Sequence, residues 1–159
     1  MIHVILCMPQ PFVDALMSSS DPQYQLDSLP LPTVVSYTTD VEDREIYAQL
    51  QDIVNQYDKE LDGILVIGEH FGSRGSTLSL SVTHANLNLV TGANLAMISP
   101  LRRLYHEVNQ LDLQPSDGLS WIAERLIQAG RDGICASQDY MRDLGEESLI
   151  DASILEELA

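Results

Sequence analysis

The segment Asp62-Gly-Ile-Leu-Val-Ile-Gly-Glu-His-Phe-Gly-Ser-Arg-Gly-Ser76 constrains the fold more than any other part of the chain. Ile64–Ile67 is a continuous apolar run rich in β-branched residues. Such a run, with no polar alternation, belongs to a strand buried on both faces, as in the middle of a parallel sheet. It leads straight into a glycine-punctuated loop carrying Glu69, His70, Ser73, Arg74 and Ser76, and a helical pattern follows from about Ser76. Strand, polar loop, helix is the turn on which open α/β sheets place their sites.

The rest of the chain repeats this alternation. Ile2–Cys7 reads as a first buried strand, with His3 a packed or edge histidine near its start. Pro11 could open a helix, where its missing N–H costs nothing, with Phe12, Val13, Leu16 and Met17 as the apolar face. Ser18–Pro32 is polar and proline-bearing and reads as a long loop. Thr33–Tyr37 is a second strand. Thr39 with Glu42 forms a capping-box pattern, with Asp40 as a rival N-cap. Ile46, Leu50, Ile53, Val54, Tyr57 and Leu61 then fall on one helix face. Leu87–Thr91 is a fourth strand. Asn94 can cap a short helical turn, and Ser99-Pro100 either kinks that helix or restarts it, with Ser99 as N-cap. Leu101, Leu104, Tyr105 and Val108 form the next buried face. Ser116 caps a long helix with the stripe Leu119, Ile122, Ala123, Leu126, Ile127 and Ile134, and Ala129, Gly130 and Gly133 permit close approach of a neighbour. His84 and His106 are placed on helix faces, and Trp121 in the core or an interface. From Asp143 the chain is acidic, yet Ile150, Ile154 and Leu158 keep a helical stripe, so a docked terminal helix is expected.

This order predicts an α/β fold: a single doubly wound domain with a mainly parallel four-stranded sheet, order 2-1-3-4, flanked by helices. The loops after strands one and three, Met8–Pro11 and Gly68–Ser76, flank the switch point of such a sheet, so a site is expected between them. Gly72, Ser73, Arg74 and Ser76 are candidate anion-binding residues, because glycines expose amides and Arg74 adds a fork of donors; an ordinary turn is the competing reading. With 159 residues one domain suffices. The net charge of −16 repels nucleic acid and anionic membrane, so neither is expected as a partner. Cys7 and Cys135 sit in apolar surroundings with no zinc spacing, so no metal is expected and a reducing, cytoplasmic compartment fits. The N-terminus lacks a basic leader, and no apolar run reaches the ~20 residues of a membrane span.

Three stretches carry a resemblance. Asp62–Ser73 looks like the third strand and Asp-x-Phe-Gly-Gly-Ser loop of the mannose-type EIIA component of the bacterial phosphoenolpyruvate-dependent sugar phosphotransferase system. Leu89-Val-Thr-Gly-Ala-Asn-Leu95 looks like its fourth strand and following turn, and Gly130-Arg-Asp-Gly133 like the Gly-Arg-x-Gly of its last long helix. The resemblance spans about residues 1–137 and leaves 138–159 as an acidic helical tail. It implies a phosphoryl relay from the carrier HPr toward a IIB component in carbohydrate uptake. It also implies a homodimer, in which a C-terminal strand is exchanged antiparallel into the partner's sheet; Gly133–Ala136 is a weak candidate for it. No organic cofactor is implied.

One departure is chemical. The family's phosphoryl acceptor is a histidine after strand one, where this chain has Pro9 and Gln10. Neither can form a phosphoramidate, and Pro9 and Pro11 remove two backbone donors. The family's orienting aspartate is replaced by Glu69. His70 is then either a relocated acceptor with Glu69 beside it and Arg74 neutralising the phosphate, or a variable loop residue. Three functions stay open: the relay, a degenerate inactive relative acting as a regulatory or binding subunit, and an unrelated flavodoxin-like domain binding a small anion.

Overall fold

The computed structural model describes residues 1–17 and 32–134. Among the described residues four strands and six helices occur, alternating as far as β4 and ending in three successive helices: β1 (Ile2–Pro9), α1 (Gln10–Met17), β2 (Thr33–Tyr37), α2 (Asp43–Val54), β3 (Gly63–Gly68), α3 (Arg74–Ser79), β4 (Leu87–Thr91), α4 (Leu95–Ile98), α5 (Leu101–Gln110) and α6 (Pro115–Asp132). The sheet is parallel throughout and ordered β2-β1-β3-β4, as the sequence predicts.

The alternation of side chains across the central strands divides the core in two. Leu6, Met8, Leu65 and Ile67 face one layer, built from α1, α4, α5 and α6 and centred on Leu101, Ile122 and Leu126. Ile5, Cys7, Ile64 and Val66 face the other, where Ile46, Leu50 and Val54 of α2 close over them. Every residue of β3 is buried, which accounts for its unbroken apolar run. Each fully buried aliphatic side chain in these layers contributes roughly 1.5–3 kcal/mol.

Several sequence expectations shift at element ends. α2 begins at Asp43 with Glu42 as an N-cap that makes no side-chain bond, while the Thr38 hydroxyl donates to Asp40 within the preceding turn. The Thr39–Glu42 capping box does not form. α2 stops at Val54, so Leu61 lies beyond it and is exposed. The Ser99-Pro100 step restarts the helix: Ser99 ends α4, and Pro100, not Ser99, is the N-cap of α5. α6 starts one residue before Ser116, with Pro115 at its first position and Gln114 as N-cap. Ile134 falls past the end of α6 and is 77% exposed rather than in the buried stripe. α3 starts at Arg74, capped by Ser73. His84 lies in the α3–β4 connection, not on a helix, and the sequence Gly133-Ile134 is not a strand. The Asn94 cap forms as expected, its side chain accepting the Met97 N–H at 3.0 Å. Residues 18–31, the rest of the exchanged-strand candidate and the acidic tail lie outside the described residues.

Candidate functional site

The register brings the carboxyl ends of the strands level: Pro9 pairs with Tyr37, Cys7 with Gly68, and Gly68 with Thr91. The two sequences expected to flank a crevice therefore meet at one end of the sheet. There is no free loop after β1, however. The strand runs to Pro9 and α1 begins at Gln10. The Gln10 side chain is held at both ends of its amide: it donates to Asp14 Oδ1 at 2.7 Å and accepts from the Ser36 hydroxyl.

Across from it, the turn after β3 is fixed by its own backbone. The Gly92 N–H donates to the Glu69 carbonyl at 2.9 Å and the Ala93 N–H to the Gly68 carbonyl at 3.2 Å, tying this turn to the one after β4. The His70 carbonyl accepts from the Ser73 N–H at 3.1 Å and the Ser76 hydroxyl at 2.9 Å. Gly72 supplies the left-handed residue of the turn, with φ of +82° and open space where a side chain would be. Glu69 and His70 are side by side: Nδ1 of His70 is 3.5 Å from Glu69 Oε2, with the imidazole 64% exposed and the carboxylate 30%.

The other predicted site residues are present but engaged. Ser73 caps α3, its hydroxyl accepting from the Ser76 N–H at 3.4 Å, and the two hydroxyls lie 3.0 Å apart. Both serines are buried. The Arg74 guanidinium donates to the Asp43 carboxylate and to the carbonyls of Val41 and Thr38, and lies over the Tyr37 ring at 5.7 Å. It clamps the β2–α2 turn onto α3 instead of pointing to Glu69 and His70 as a free donor. The Gly75 N–H donates to the Tyr37 hydroxyl at 2.8 Å. A Cβ at Gly75 would sit 2.8 Å from the Cys7 carbonyl, so the backbone approach requires glycine. Burial pushes the Tyr37 hydroxyl above its ordinary pKa, and the Gly75 N–H offsets part of that.

A cavity of about 300 Å³ opens on the β2 side of this end, lined by Pro9, Pro11, Tyr37, Thr38, Thr39 and Arg74. Sequence reasoning located its prolines but not its Tyr37 and threonine wall. The usable signal was a strand ending in Tyr-Thr-Thr beside the predicted crevice. Among the described residues no three His, Cys, Asp or Glu side chains are grouped to hold a metal ion, and no helix is long and apolar enough to cross a membrane.

No family model matches this sequence, and no curated protein matches it. Solved structures do. The phosphotransferase system component EIIA from Streptococcus agalactiae is similar at 18% identity, with a TM-score of 0.65 over 87% of this chain and 99% of that one. The mannose/sorbose specific IIA subunit from Enterococcus faecalis is similar at 20% identity, with a TM-score of 0.64 over 84% and 92%. The strand order, the all-parallel sheet and the near-complete coverage together give this chain the fold of the EIIA components of bacterial sugar phosphotransferase systems.

Proposed function

We propose that this chain is a cytoplasmic EIIA-like component of a sugar phosphotransferase system that acts by binding the system's protein carriers, HPr or a IIB-type component, without relaying phosphate itself. One observation carries the reading. Where the resemblance expects an acceptor imidazole, β1 runs into α1 through Pro9 and Gln10, and the Gln10 amide is already bonded to Asp14 and Ser36. An amide is not a nucleophile toward phosphorus at neutral pH, and the arrangement leaves no loop to cradle a phosphoryl group. The proposed anion-binding set, Gly72, Ser73, Arg74 and Ser76, fits the same view, since three of its side chains are bonded within the protein.

A second reading has its own support. The exposed His70 ring lies with Nδ1 3.5 Å from the Glu69 carboxylate, which sets an imidazole nucleophile and a carboxylate side by side as a phosphohistidine relay needs. Incubation with phosphoenolpyruvate, enzyme I and HPr distinguishes the two. The expected result is no acid-labile phosphate on the chain, together with saturable binding to HPr or a IIB component by calorimetry. A label that disappears in His70→Ala would replace this reading with the relay. Neither label nor binding would remove the phosphotransferase system from consideration. Sedimentation of the same sample tests the homodimer that the resemblance implies.

A further inference from the structure

The cavity of about 300 Å³ on the β2 side of the sheet's carboxyl end has an almost wholly apolar wall, formed by Pro9, Pro11, Tyr37, Thr38, Thr39 and Arg74. That wall is already fixed in place. Pro9 ends β1 in register with Tyr37, and Pro11 lies in the first turn of α1. The Tyr37 hydroxyl is held by the Gly75 N–H at 2.8 Å, and the Arg74 guanidinium by Asp43 and the Thr38 and Val41 carbonyls. Open α/β sheets bind ligands at this end of their strands, in mostly apolar pockets of roughly 300–1,000 Å³ with a few polar groups. A wall that needs no rearrangement avoids the ordering cost that otherwise weakens binding.

The surroundings decide the charge of an occupant. An anion finds no free donor, because Pro9 and Pro11 have no N–H and Arg74 is committed to three acceptors. Asp40 and Asp43, in the adjoining turn and at the start of α2, add repulsion. A cation meets the Arg74 charge in the wall, and Arg74 itself already lies over the Tyr37 ring at 5.7 Å. One polar group at the cavity is uncommitted. The Thr38 hydroxyl donates to Asp40, whereas the exposed Thr39 hydroxyl makes no hydrogen bond among the described residues.

We propose that this cavity binds a small uncharged ring compound bearing one hydrogen-bonding substituent, the ring packed on Pro9, Pro11 and Tyr37 and the substituent bonded to the Thr39 hydroxyl. The proline rings offer rigid C–H faces to a flat ligand, and a hydroxyl that both donates and accepts fixes its orientation. The site uses neither Glu69 nor His70 and no phosphoryl chemistry, so it stands or falls separately from the carrier-binding reading.

The test follows amide chemical shifts of the labelled full chain, with indole as the probe and 1-methylindole, indole-3-acetate and tryptamine as comparisons. Indole should saturate the protein with a Kd below about 1 mM. It should shift the amides of Gln10, Phe12, Tyr37, Thr38, Thr39 and Arg74 and leave those of Leu111 and Gly118, beside the start of β1, unmoved. The acetate and the amine should bind about tenfold more weakly or worse, since neither charge finds a partner. Thr39→Val should weaken indole by about three- to tenfold and leave 1-methylindole unchanged, because only indole has an N–H to donate. Pro11→Glu, which suits the first turn of a helix, should abolish binding of both. The same spectra report whether each variant is folded, and Thr39 is exposed, so its replacement keeps the test decisive. No saturation at millimolar indole, shifts confined to other residues, equal binding of the charged analogues, or equal weakening of indole and 1-methylindole by Thr39→Val would each overturn the proposal.

Discussion

Arg74 is two residues from Gly72, and in the sequence it reads as a donor for an anion. In the folded chain its nitrogens are occupied by the Asp43 carboxylate and by the Thr38 and Val41 carbonyls. Nothing local reveals this, because Asp43 is thirty-one positions away and is brought near only by the packing of α2 against α3. The side chain is partly buried, and its two carbonyl acceptors would lose a donor on truncation. Arg74→Ala should therefore cost about 1–2 kcal/mol, read as a lower urea midpoint with an unchanged m-value. Arg74→Lys should recover little of it, because a point charge cannot reproduce three divergent bonds. An Arg74→Ala protein of unaltered stability would return the residue to the role of a free donor. Glu69 and His70 are simpler: both were readable from the βα turn alone, because the strand length places them at the first two positions beyond the sheet.

At the scale of elements, the strands and helix faces were readable because burial imposes a period. β3 is apolar throughout and buried throughout, and the Ile46, Leu50, Val54 stripe of α2 is buried as spaced. The ends were less readable, because a cap is chosen by where the chain must turn and not only by which residue caps best. Thr39 and Ser116 are better cappers than Glu42 and Gln114, yet α2 and α6 begin directly after the latter. The same effect removed Leu61 and Ile134 from their predicted stripes. These boundaries make a prediction at this scale. Gln114 is exposed and makes no side-chain cap bond, while Pro115 already fixes the first turn. Gln114→Asp should supply an acceptor for the free first-turn N–H groups and a charge that favours the positive end of the helix dipole. The expected gain is about 0.5–1 kcal/mol, seen as a rise of roughly 1–4 °C in Tm. A lowered Tm would mean that the boundary is set by contacts the substitution disrupts.

The whole molecule is a sheet covered on both faces, and that sandwich makes its stability depend on alkaline pH through a residue far from any surface. Cys7 lies in the central strand under α2 and α3 and is fully buried. Burial pushes its thiol up to about 11 from an ordinary 9.0, against a smaller opposing effect of a Ser79 hydrogen bond. An acid whose folded pKa is raised keeps its proton longer in the folded state than in the unfolded one. Between about pH 9 and 11 the unfolded chain therefore binds fewer protons at this position, and folding free energy falls as pH rises. Two pKa units correspond to about 2–3 kcal/mol for this residue once pH exceeds the folded value. Tyr37, raised chiefly by burial and joined to the same α3 backbone through Gly75, adds to the loss in the same direction. The acidic surface does not offset it, since carboxylates carry the same charge across this range. Urea midpoints measured from pH 7 to 11 should be nearly level to about pH 8.5 and then decline. Cys7→Ala should start lower at pH 7 because it leaves a small void, yet decline less steeply above pH 9. An equal slope in the two proteins would mean that the thiol is not held protonated by the core, and that the sheet is open to hydroxide at its centre.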